Sequence, residues 1–145
     1  MFNSIVWASD GSEYAEKALE LVKGLAKEGG GSVTIVHVVE RVEGAGASGP
    51  PRRVDEGQVQ AHLQEVADAL SGEGIPATVK ISGDVGARPA HVLATTAREL
   101  GADLIVVGTR GHTAIGGLLL GSVTNRLLHI APCPVLAVPA QVSDS

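Results

Sequence analysis

Five short runs of β-branched and aliphatic residues recur along this chain, and the stretches between them carry apolar residues at three- and four-residue steps. The runs are Ile5-Val6-Trp7-Ala8, Val33 to Val39, Ala77 to Ile81, Leu104-Ile105-Val106-Val107 and Val135-Leu136-Ala137-Val138. Nearly continuous apolar runs of this length predict strands covered on both faces, whereas the stepped stripes predict helices packed on one face. The first stripe starts after Ser12 and passes through Ala15, Ala18, Leu19, Val22, Leu25 and Ala26 to the stop at Gly29-Gly30-Gly31. Val59, Leu63, Val66, Ala67 and Leu70 mark a second helix, and Ala90, Leu93, Ala94, Ala97 and Leu100 a third, which Gly101 caps. A short fourth helix, from about Ser122 to about Ile130, precedes the last strand.

Strand alternating with helix implies parallel β-α-β units, so the expected fold class is α/β. We take it as a single doubly wound domain over residues 1–140, a five-stranded parallel sheet in the order 3-2-1-4-5 with helices on both faces. The 145 residues suit one domain, and with 44% hydrophobic but only 2% aromatic residues the core must be built from Val, Leu, Ile and Ala. Residues 41–53, rich in glycine and paired proline, read as a flexible loop, and 141–145 as a tail.

The same composition excludes several classes of function. A formal net charge of -5 and the scarcity of aromatic rings argue against a nucleic-acid partner, which calls for a basic face. No apolar run is long enough to cross a bilayer, so no membrane partner is expected. Cys133, the only cysteine, cannot form an internal disulfide, and Met1 to Ser12 lacks the basic start and long apolar run of a secretory signal. A cytoplasmic location is therefore expected.

In a doubly wound sheet, ligands bind beyond the carboxyl ends of the strands where the winding reverses, here between the first and fourth strands. Asp10 and Gly108 stand at those ends. After the fourth strand the chain reads Gly108-Thr109-Arg110-Gly111, then nine residues, then Gly121-Ser122-Val123-Thr124 at a helix start. Glycines let a backbone approach a phosphate closely, and the free N–H groups of a helix start bind anions, which makes Gly121 and Ser122 the foremost phosphate contacts. From Leu104 to Ser143 there is no Asp or Glu to repel a polyphosphate, while Arg110 and Arg126 are present.

Gly108, Gly111, Gly121 and Ser122 match the pattern G-x-x-G-x9-G-[ST] at full spacing, and in this the chain resembles the ATP-binding universal stress proteins. The likeness extends through Asp10-Gly11-Ser12, Val36-His37-Val38, the segment from Gly101 to Val107, and Cys133-Pro134-Val135-Leu136. The resemblance implies that Asp10 holds the ribose hydroxyls and that the backbone at Val38 contacts adenine. It further implies that Gly108, Gly111, Gly121, Ser122 and Val123 line the ribose and phosphates of ATP; Mg²⁺ or Mn²⁺ stays open as a companion of the ATP. A homodimer through the last strand is implied as well. Two departures stand out: Gly86-Ala87-Arg88-Pro89 has one residue more than the usual Gly-x-Pro, and Trp7 occupies a strand position that is usually smaller.

Other motifs lack the context their chemistry needs. Gly44, Gly46 and Gly49 spell a dinucleotide fingerprint, but Pro50-Pro51 follow where a helix should open. Gly116 and Gly121-Ser122 have Walker spacing without the lysine, and His37, His62, His91, His112 and His129 show no metal-ligand spacing. Cys133, between two prolines, reads as a core residue. The expected function is thus a nucleotide-binding regulatory module of the stress response. The alternatives are a slow ATPase or autophosphorylating enzyme, with Ser122 or Thr124 as acceptor and Asp10 or His112 assisting, and a module that prefers cyclic AMP.

Overall fold

A computed structural model describes residues 2–9, 18–39, 56–83, 88–108 and 122–139. Within them the chain runs β1 (Ser4–Ala8), α1 (Leu19–Gly29), β2 (Ser32–Val38), α2 (Glu56–Gly72), β3 (Ala77–Ser82), α3 (Pro89–Leu100), β4 (Leu104–Gly108), α4 (Ser122–Ile130) and β5 (Val135–Val138). The five strands form one parallel sheet in the order β3-β2-β1-β4-β5, the order adopted from the sequence. Of the first stripe, the part before Ala18 lies outside the described residues, as do the 41–53 loop and the tail.

Alternation along the strands sorts side chains onto two faces. On one face Ile5, Trp7, Val33, Ile35, Leu104 and Val106 meet Ala18, Val22 and Ala26 from the first helical segment and Leu63, Val66 and Leu70 of α2. On the other, Val6, Val36, Ile105 and Val107 meet Leu93, Ala94 and Ala97 of α3 and Leu127 of α4. Two helices therefore cover each face. Each fully buried aliphatic side chain contributes about 1.5–3 kcal/mol through its removal from water, so the paired clusters are the main support of the fold. Trp7 is fully buried in this core; among the described residues its indole N–H has no hydrogen-bond partner.

The amino ends of the central strands are tied by polar groups. Asp103 accepts the N–H groups of Asn3 and Ser4 on its carboxylate at 2.9 and 3.2 Å, and its own N–H donates to the Ser4 carbonyl at 2.9 Å. Just before it, Gly101 ends α3 at φ 65°, a left-handed conformation that glycine adopts without strain. Pro89 opens that helix, where its missing N–H costs no bond and its fixed φ suits the first turn. Register is thereby fixed at the end opposite the predicted site, leaving the carboxyl ends to carry the loops.

Candidate functional site

β1 lies between β2 and β4, so the winding reverses at the β1–β4 junction, and the described parts of the predicted site gather around its carboxyl end. Val38 is the last residue of β2 and Gly108 the last of β4, while Ser122 and Val123 open α4. Asp10, Gly111 and Gly121 lie outside the described residues. Ala8, Val38 and Val123 are all partly buried against the same core cluster, which gives this end of the sheet an apolar flank on the face covered by α3 and α4.

Two side chains fasten this rim to the backbone. Ser9 continues β1 by donating its N–H to the Val36 carbonyl at 3.0 Å, and its own carbonyl lies 3.0 Å from Nδ1 of His37. A carbonyl only accepts, so Nδ1–H is the donor in this bond. Ser9 and His37 are both buried. The residue ahead of Asp10 is thus held on both sides of its peptide by β2. On the far side of β1, the Thr124 hydroxyl donates to the Gly108 carbonyl at 2.9 Å and ties the start of α4 to the end of β4.

Neither fastening was legible as such. Thr124 attracts attention as a possible phosphate acceptor, yet it is buried and its proton is given to Gly108. His37 reads only as part of Val-His-Val; the usable signal is that a histidine inside a strand covered on both faces needs a polar partner. Among the described residues no group of three or more His, Cys, Asp or Glu side chains is placed to hold a metal ion. Cys133 packs partly buried against the α3–α4 cluster, and burial, helped by the Asp103 carboxylate, pushes its thiol above the ordinary value, which disfavours the thiolate a nucleophile requires. No described helix is long and apolar enough to cross a membrane.

The described residues thus bring together an apolar flank, the end of β1 and a helix start beside a glycine at the carboxyl edge of the sheet. Comparison with known proteins agrees with that architecture. Residues 1–139 match the model of the universal stress protein family. A universal stress protein encoded in the QAH/OAS sulfhydrylase 3' region of Thermus aquaticus is 35% identical over 142 residues, covering 95% of this chain and 99% of that protein. The solved structure of hypothetical protein MJ0577 superposes with a TM-score of 0.75 at 27% identity, covering 99% of both chains. A universal stress protein from Archaeoglobus fulgidus, solved in complex with dAMP, gives 0.66 at 25% identity, covering 95% of this chain and 98% of its own.

Proposed function

This chain belongs to the universal stress protein family, and from that premise we propose that it binds ATP at the carboxyl ends of β1, β2 and β4 as a regulatory or signalling module of the stress response. The observation that supports the proposal is the placement of the first turn of α4 against Gly108 at the carboxyl end of β4, next to the strand reversal. Adenine would lie by the backbone of Val38, ribose at Asp10, and phosphates along Gly108, Gly111, Gly121, Ser122 and Val123. The dAMP complex of the Archaeoglobus relative supports the adenine-nucleotide class. Mg²⁺ or Mn²⁺ would enter on the triphosphate, since a divalent cation commonly keeps its phosphate ligands and several waters.

Binding rather than turnover is the better reading of the described groups. Apolar side chains, backbone amides, a histidine N–H given to Ser9 and a hydroxyl given to Gly108 orient a ligand; an ATPase must also position and activate a water. We place the module in one domain over residues 1–140 and in the reducing cytoplasm, where Cys133 stays a thiol. It would work as a homodimer, because β5 is an edge strand and exposes one side of its backbone for pairing with a second copy.

Mass spectrometry of the ligand released from freshly purified protein, followed by incubation of the emptied protein with radiolabelled ATP, tests this reading. Retention of one ATP per chain without product is the expected result. Repeated turnover would make the protein an enzyme, and displacement of ATP by a much lower concentration of cyclic AMP would change the ligand.

A further inference from the structure

The Thr124 hydroxyl reaches sixteen positions back along the chain to the Gly108 carbonyl, at 2.9 Å, from a side chain that is 3% exposed. A hydroxyl in the first turn of a helix is well suited to cap its own backbone or to face a ligand. This one does neither with its proton, which is spent on the strand that precedes the loop. Gly108 ends β4 and Thr124 lies in the first turn of α4, so the bond holds the start of that helix against the end of that strand.

We propose that Thr124 is a positioning residue for the phosphate half of the site, holding the start of α4 against the end of β4 so that the first-turn N–H groups of Ser122 and Val123 stay beside Gly108. The inference rests on the nucleotide-binding reading and goes beyond it by giving a role to a residue outside the glycine motif. Its consequence is a split between ligands. Phosphate recognition needs several N–H groups aimed together, so losing the bond weakens ATP, whereas adenosine depends on the Asp10 and Val38 side of the rim.

Titration calorimetry with ATP and with adenosine, on the wild type, Thr124→Val and Thr124→Ser, tests it. Thr124→Val keeps the shape and removes the hydroxyl; ATP affinity should fall about tenfold, the upper range for one neutral hydrogen bond, and adenosine affinity by less than about threefold. Thr124→Ser keeps the hydroxyl and loses the methyl; it should melt lower than the wild type and still bind ATP within about threefold of it. The proposal is overturned if Thr124→Val binds ATP like the wild type, if ATP and adenosine weaken by the same factor, or if affinity follows the methyl rather than the hydroxyl. Should Thr124→Val not fold, the serine variant decides alone: a tenfold loss of ATP affinity there contradicts the proposal. A wild type that binds ATP shows the underlying reading to stand whichever way the variants behave, and one that binds neither ligand ends both.

Discussion

His37 shows how much a single buried ring can decide. Its Nδ1–H satisfies the Ser9 carbonyl inside the protein, where an unmatched acceptor would forfeit its hydration without return. His37→Leu should therefore lower the free energy of unfolding by roughly 1–3 kcal/mol, and His37→Asn, whose amide N–H can take the place of Nδ1–H, should recover part of the loss. Denaturant titration at constant pH measures both, and wild-type stability in the leucine variant would show that the bond carries nothing. The affinity for adenosine should follow the same order, since Ser9 leads directly into Asp10. None of this pairing could be read from the sequence, because Ser9 and His37 are 28 positions apart and meet only after β1 and β2 have paired. Trp7 was visible as a misfit in a chain of small core residues, and it is accommodated as the largest side chain of the core, fully buried between the sheet and its helices.

At the scale of elements, β5 carries the prediction about assembly. Ile105 donates to the Pro134 carbonyl, and β5 pairs with β4 from Val135 to Val138. The alternation of a parallel ladder then turns the backbone groups of Val135 and Ala137 away from β4, toward the open edge. Leu136 packs against the α1–α2 cluster, so altering it would disturb the core as well as any interface. Ala137→Pro removes an outward N–H and leaves the β4 ladder its partners; sedimentation should show wild-type dimer and variant monomer. Equal association of the two would exclude pairing through this edge. A second cross-element tie joins α1 to the turn after α2. Lys23 and Lys27 approach Glu73 at 3.1 and 3.3 Å, and their hydrogen bonds, that of Lys23 foremost, hold its carboxyl below the ordinary value of 4.5. Lys23 is correspondingly raised above 10.5, again chiefly by that bond. Because the folded carboxylate is the better acid, its contribution is present above 4.5 and disappears as pH falls through the folded value. Glu73→Gln should thus melt slightly below the wild type at about pH 7, and the gap should close as the pH falls below 4.5 and through the folded value; a gap independent of pH would remove Glu73 from the acid limb.

For the molecule as a whole, topology was the most legible feature, since five runs alternating with four helices leave few ways to cover both faces of a parallel sheet. The element ends were legible too: Val38 closes β2, Gly108 closes β4, and Ser122 and Val123 open α4. The fastenings at that edge were not, because a hydroxyl or imidazole advertises its chemistry in the sequence while its partner is chosen by tertiary placement. Scaffold and proposed site are thus separable, the amino end fixed by Asp103 and the proposed site at the carboxyl end. That separation makes the central claim testable at one position. Gly121→Asp adds a side chain and a negative charge where the motif would receive phosphate. Calorimetric titration of ATP into wild type and variant, with circular dichroism to establish that both are folded, should show saturable binding in the first and none in the second. Equal ATP affinity in a folded Gly121→Asp protein would contradict the assignment of phosphate binding to this motif.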